Sequence, residues 1–165
     1  MSSYCVNPFT KGQQKTSIGN LNDALAHYRS KAGGRIPANE SLFKEMKSDP
    51  SFKKNFGPKG NVVKGIQTKI ANALRNGEKT VSNEIGSRRG MNCRTLGSYS
   101  ASIEYNHPVS SGKNIVSIRL YGYDCWDFEP SEAHNWFGNL TQEIIPGIIA
   151  GDGKPFDITY DFTIQ

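Results

Sequence analysis

The chain has 165 residues, which fits one domain, or one domain with an N-terminal extension, and is enough for a hydrophobic core. Its net charge of +5 favours an anionic partner such as phosphate, nucleic acid or an acidic membrane surface. Three cysteines without a Cys-x-x-Cys pair argue against a disulfide framework and a structural zinc site. We find no secretory signal and no apolar run of about 18 residues, so we expect delivery by another route if the protein acts outside the cytoplasm.

Residues 1–19 are polar and have no clear hydrophobic period. We predict an N-terminal extension or linker there, followed by a single domain over residues 20–165. The hydrophobic period changes near the middle of this domain, and the residues with the most suggestive chemistry follow the change. We therefore expect the site in the part of the domain that covers about residues 94–165.

The first half of the domain has apolar residues at the three- and four-residue spacing of amphipathic helices. This spacing predicts helices over residues 21–28, 39–49 and 61–76. Residues 51–60 are basic and interrupted by Gly and Pro, which is typical of a connection. We expect the N-terminal half to be mostly helical.

The second half alternates between apolar and polar residues instead. The alternation predicts strands over residues 94–105, 115–123 and 155–164, with a helix over residues 131–145 before the last strand. The predicted fold class is α+β, with the helical N-terminal half packed on an antiparallel sheet. A half-barrel is one form that such a sheet could take.

The densest group of reactive side chains follows the strand predicted at 115–123. Asp124, Asp127, Glu129 and His134 fall within eleven residues, where a strand is expected to give way to a helix. Carboxylate oxygens are ligands that hard cations such as Mg²⁺ prefer, and imidazole suits proton transfer near neutral pH. The pattern predicts a site on the loop between strand and helix.

Each of these residues also has a purely structural interpretation. Asp124 could satisfy backbone N–H groups in a turn, and Asp127 could cap the following helix. His134 could be a hydrogen-bonded histidine without a catalytic role. Their clustering, rather than any one of them, indicates a site.

The cluster resembles the motif in the activity domain of colicin M-type bacteriocins, which cleave the lipid-linked peptidoglycan precursor lipid II. That family carries Asp-x-Tyr-Asp, five residues, and then His-Arg. Here Asp124, Trp126, Asp127 and His134 take the matching positions, with six residues in the gap. Trp126 stands where the family has Tyr, and Asn135 stands where it has Arg.

The resemblance covers roughly residues 115–165, and the wider set of polymorphic and type VI-delivered bacterial toxin domains shares it. It implies an antibacterial toxin domain that hydrolyses lipid II at its pyrophosphate–undecaprenyl linkage and blocks cell-wall synthesis. Such a domain would be secreted or injected and would act in the periplasm of target bacteria, at the membrane surface. Delivery machinery or a fused translocation module would carry it, and a cognate immunity protein would protect the producing cell.

The resemblance also implies roles for individual residues. Asp127 would be the central carboxylate, as metal ligand or general base, and Asp124 would be a second ligand or would orient it. Mg²⁺ held by these two carboxylates would neutralise the leaving pyrophosphate, and His134 would donate or accept the proton. The substrate-binding candidates are Trp126, Asn135 and Arg119, with Arg88, Arg89 and Arg94 as further sources of the basic group that follows His in the family.

Two other functions use the same composition. A metal-dependent nuclease toxin would need two aspartates, a histidine and basic surroundings as well. A binding or immunity module would need no catalytic centre, and His134→Ala would leave its function almost unchanged. Nucleic acid is not a partner in the main interpretation, because no nucleic-acid-binding motif is present in the sequence.

Overall fold

The computed structural model describes residues 13–83, 88–111, 117–127 and 153–165. The helices lie in the N-terminal half and the strands mostly in the C-terminal half, which confirms the predicted α+β class. In chain order the elements are α1 (Leu21–Ser30), β1 (Arg35–Pro37), α2 (Glu40–Ser48), α3 (Pro50–Phe56), α4 (Asn61–Arg75), β2 (Thr80–Ser82), β3 (Arg88–Cys93), β4 (Gly97–Glu104), β5 (Asn106–Pro108), a 3₁₀ turn (Val109–Ser111), β6 (Ile118–Trp126) and β7 (Phe156–Ile164).

Side-chain caps explain where the helices of the N-terminal half begin. Asn20 accepts a hydrogen bond from the backbone N–H of Asp23 at the start of α1, and Asn39 caps α2 in the same way. Helix α3 was not predicted. Pro50 is the first residue of α3, where its missing N–H costs nothing, and Asp49 caps this helix.

Five of the described strands form one open sheet in the order β1-β7-β6-β4-β3. The four longer strands pair antiparallel, as predicted, whereas the short β1 runs parallel to β7. Strands β2 and β5 form a separate antiparallel pair. Strand β1 has only three residues, too few for an alternation that a sequence pattern could reveal.

The strand predicted at 115–123 continues further than expected. β6 ends at Trp126, because its pairing with β7 extends to Trp126 opposite Phe156. Asp124 and Trp126 therefore lie within a strand and not on the loop after it, which corrects the predicted position of these two residues. The helix predicted over residues 131–145 lies outside the described residues.

The core lies between the helices and one face of the sheet. Phe43 of α2 stacks on Phe162 of β7, with ring centroids 4.3 Å apart. Tyr28 of α1 meets Trp126 edge to face at 5.7 Å. Each such buried aromatic contributes about 1.5–3 kcal/mol through removal of apolar surface from water. Ile18, which pairs with Ala38, is also fully buried, so the chain packs into this core before α1 begins.

His27 on α1 is a structural residue of this core. It is fully buried, and its Nδ1 accepts a hydrogen bond from the backbone N–H of Lys15 at 3.1 Å. Its Nε2 lies 2.8 Å from the carbonyl oxygen of Gly33. These partners fix the neutral tautomer with the proton on Nε2, so this imidazole links α1 to the segments on either side of it.

Candidate functional site

Strands β4 and β6 pair over only three residues and then separate. The paired residues run from Glu104 opposite Arg119 to Ser102 opposite Tyr121. Beyond this point β6 stays paired with β7, and β4 stays paired with β3. The sheet therefore splits into two halves, each still held by its own hydrogen bonds.

A cleft of about 430 Å³ lies where the two halves diverge. Asn92, Ser98 and Ser100 are exposed and alternate along their strands with Met91 and Tyr99, which are buried, and residues from both faces of the sheet line the cleft. The lining residues that matter for its chemistry are Gly90 and Asn92 from β3, Ser98 and Ser100 from β4, and Tyr123 and Asp124 from β6.

Tyr160 of β7 reaches the split from the core side. Its ring passes so close to Gly122 of β6 that a Cβ there would lie 3.0 Å from a ring carbon. Its hydroxyl donates to the carbonyl oxygen of Ser100 at 2.5 Å and lies 3.4 Å from that of Tyr123. Tyr160 thus occupies the gap between strands that no longer pair, and the glycine at 122 makes its approach possible.

Asp124 is the carboxylic acid of β6 that lines the cleft. It is half-buried, and no hydrogen bond to its carboxylate is present within the described part of the chain. Burial raises the pKa of this carboxyl to about 7, and the negative charge of Asp157 adds to the effect. Both protonation states are therefore populated near neutral pH, which is the property that a general acid or base requires.

Asp127 is not among the described residues that line the cleft. Asp124 shares the alternation of the buried Leu120 and Trp126, whereas Asp127 has the opposite parity, follows the end of β6 and is exposed. The positions predicted for His134, Asn135 and Glu129 lie outside the described residues.

The described residues do not form a complete site for Mg²⁺. Over residues 13–83, 88–111, 117–127 and 153–165, no three His, Cys, Asp or Glu side chains are close enough to hold a metal ion. Among the described residues that line the cleft, Asp124 is the only aspartate or glutamate, so a Mg²⁺ ion there would take its other ligands from water or substrate phosphates. Dependence on Mg²⁺ stays a prediction.

Trp126 lies in the core, although the motif placed it among the substrate contacts. Only 3% of its surface is exposed, and its indole N–H donates to the carbonyl oxygen of Thr95 at 2.8 Å. Thr95 in turn donates its own N–H and hydroxyl to the carboxylate of Glu45. This network ties β6 to the β3–β4 turn and to α2, so the role visible for Trp126 is structural.

Arg119 lies at the paired end of β6, where acidic neighbours already bind it. Its guanidinium makes two hydrogen bonds to Asp161, at 2.9 and 2.8 Å, and one to Glu104 at 3.2 Å. It also stacks over the ring of Tyr121 at 4.4 Å. The hydrogen bond from Arg119 lowers the pKa of Asp161.

Neither cysteine described in the structure has the environment of a nucleophile. Burial raises the pKa of Cys93 to about 12. Desolvation also raises the pKa of Cys125, and the charges of Asp157, Asp127 and Asp124 add to it. Both thiols therefore stay protonated near neutral pH.

No protein-family model matches the chain, and no curated protein matches it. Within the described residues, no helix has the length and apolar character needed to cross a membrane. The functional conclusion therefore rests on the geometry of the cleft and on the motif around Asp124.

Proposed function

We propose that the chain is an antibacterial toxin domain that hydrolyses lipid II, with Asp124 as the residue that exchanges the proton. The observation that carries this proposal is a half-buried carboxyl with a pKa of about 7 in an open, polar cleft. It is also the first aspartate of the Asp-x-aromatic-Asp motif. Perturbed carboxyls in clefts are more common at functional sites than elsewhere.

The reaction adds one water molecule across the linkage between pyrophosphate and undecaprenol. Its products are free undecaprenol and a headgroup that keeps both phosphates. The protonated form of Asp124 can donate to the leaving oxygen, and the ionised form can accept a proton from the attacking water. Asn92 Oδ1 accepts a hydrogen bond from Ser98 at 2.8 Å, so the amide N–H groups of Asn92 are left to donate to phosphoryl oxygens.

The charge of the chain supports the proposed location of the substrate. A net charge of +5 favours approach to an anionic membrane surface that carries a pyrophosphate-linked lipid. We propose action in the periplasm of target bacteria, after delivery by a partner machinery or a fused translocation module. A cognate immunity protein would then block the cleft or its approach.

The test is incubation of the purified protein with lipid II, beside RNA and DNA, in Mg²⁺ or in EDTA. Chromatography and mass spectrometry should detect undecaprenol and the pyrophosphorylated headgroup. Asp124→Asn, which keeps the size of the side chain, should reduce the rate of this release by about 10²–10⁴-fold. Asp161→Asn is the matched control, since it makes the same substitution at the paired end of β6 and should retain activity.

Other outcomes would assign another function. Intact lipid II together with degraded nucleic acid would indicate a nuclease toxin. Survival of all substrates would favour a binding or immunity module without a catalytic centre. Activity that survives in EDTA would exclude the predicted need for Mg²⁺.

A further inference from the structure

The arginines on the exposed sheet face differ in whether a carboxylate already neutralises them. Arg119 is bound by Asp161 and Glu104, and Arg35 lies 3.3 Å from Asp157. Arg88 of β3 is exposed and makes no ion pair with any described residue. No carboxylate of the described residues therefore neutralises its charge.

The register of the sheet places Arg88 at the rim of the cleft. It shares a face with Gly90, two residues further along β3, which lines the cleft. Its partner across the β3–β4 ladder is Ser102, which is also paired with Tyr121 where β4 and β6 separate. The cleft thus begins next to Arg88.

Gly90 leaves open space beside Arg88. A Cβ at this position would meet no atom within 4 Å. No side chain from position 90 therefore blocks the space between Arg88 and the residues that line the cleft.

The charge of Arg88 also affects Tyr160, which lies between the separating strands β4 and β6. Burial raises the pKa of Tyr160, the charge of Asp124 raises it further, and the charge of Arg88 opposes both. Arg88 and Asp124 therefore act on the same hydroxyl, which lies between the separating strands.

We infer that Arg88 contacts the anionic phosphoryl group of a substrate bound in this cleft, where Asp124 exchanges the proton. The planar guanidinium presents paired N–H donors that match phosphoryl oxygens. The identity of the substrate rests on the proposed function, but binding of a phosphoryl anion next to Arg88 does not. Arg88 would then serve as the substrate's basic contact, from a strand distant in sequence from the motif.

Arg89 offers a matched control one residue away. Alternation along β3 turns it to the opposite face from Arg88, and its guanidinium donates to the carbonyl oxygen of Arg88 at 2.9 Å. Arg88→Gln and Arg89→Gln remove the same charge from the same exposed strand. A difference between them therefore reports position and not net charge.

The experiment titrates each protein with inorganic pyrophosphate at pH 6 without divalent metal. At this pH Asp124 is largely protonated and does not repel the anion, because its pKa is about 7. NMR follows the backbone amide signals of Gly90, Ser98 and Ser100. Wild type and Arg89→Gln should show saturable shifts with similar Kd values, whereas Arg88→Gln should raise Kd by about 10-fold or more, as expected for a lost charge-assisted hydrogen bond.

Equal Kd values for the two variants, or no saturable shift in the wild type, would overturn the inference. Arg88→Lys guards against a general structural effect, since it keeps the charge and should bind more tightly than Arg88→Gln. If the wild type fails to cleave lipid II but the contrast between Arg88→Gln and Arg89→Gln remains, the proposed function fails and the anion contact stands.

Discussion

The aspartates near the two ends of β6 have pKa values shifted in opposite directions. At the end paired with β4, Asp161 of the neighbouring β7 is exposed and receives two hydrogen bonds from Arg119, which lower its pKa. At the end where β4 has departed, burial and the charge of Asp157 raise the pKa of Asp124 to about 7. Loss of strand pairing therefore coincides with loss of charge compensation, and that is where proton exchange becomes possible.

The opposite shifts predict opposite effects of pH on stability. A lowered pKa means that Asp161 stabilises the folded state near neutral pH, and this contribution is lost as the pH falls through its folded pKa. A raised pKa means that the folded state holds the proton of Asp124 more tightly than the unfolded state does. Its contribution is present below pH 3.8 and is lost as the pH rises towards about 7.

Filling the cleft at the open end of β6, where β4 no longer pairs with it, should have the largest effect on activity. Gly90→Leu adds a side chain whose Cβ would meet no atom within 4 Å apart from its chain neighbours, so the fold should tolerate it while the cleft is blocked. We expect lipid II hydrolysis to fall by at least about 100-fold, because small displacements of a substrate have effects of this size. The measurement compares initial rates, with unfolding midpoints to verify the fold.

Gly65→Leu is the control for the filled cleft. It adds the same side chain at a glycine of α4 whose Cβ position is also open. Wild-type rates in this variant, together with loss in Gly90→Leu, would place the reaction at the open end of β6. Full activity of a folded Gly90→Leu would remove the cleft from the mechanism.

Ionisation of Asp124 at the open end of β6 should lower the stability of the folded protein at alkaline pH. Asp124→Asn cannot ionise, so its free energy of unfolding should exceed that of the wild type by about 1–2 kcal/mol at pH 8, after allowance for solvent screening of a half-buried group. The difference should shrink at pH 4.5, where the wild-type carboxyl is protonated. Urea unfolding at both pH values measures it, and equal differences would contradict the raised pKa.

The sequence was sufficient where structure depends on neighbouring residues. Helices α1, α2 and α4 and strand β7 lie close to their predicted ranges, because caps and hydrophobic periods are local signals. Helix α3 was missed because a proline can either end one helix or begin the next. Strand β1 is held by its partner β7 and not by a pattern of its own.

The cleft could not be predicted from such local signals. It depends on where β4 stops pairing with β6, which is a relation between segments far apart in the chain. The motif did include Asp124 as a candidate, but it could not indicate that β6 runs past this residue or that Arg88 lies near the cleft in the sheet. Gly122 was the one available clue, because an isolated glycine within a strand often marks a close approach, here that of Tyr160.

Mutation of Arg119, at the end of β6 that is paired with β4, should have the smallest effect on stability. Arg119→Gln removes the ion pairs with Asp161 and Glu104, but these are exposed, so the loss of stability should be smaller than the gain from Asp124→Asn at pH 8. The difference from wild type should shrink further in 1 M salt, since salt screens exposed charges. Urea unfolding at low and high salt tests this.

The same variant also decides between two arginines. Arg119 is a substrate-binding candidate from the motif, whereas Arg88 is the candidate from the cleft. If Arg88→Gln raises KM for lipid II and Arg119→Gln does not, the substrate binds at the open end of β6 and the paired end is structural. The reverse result would mean that the substrate displaces the carboxylates from Arg119, and the contrast between the two ends would no longer separate structure from function.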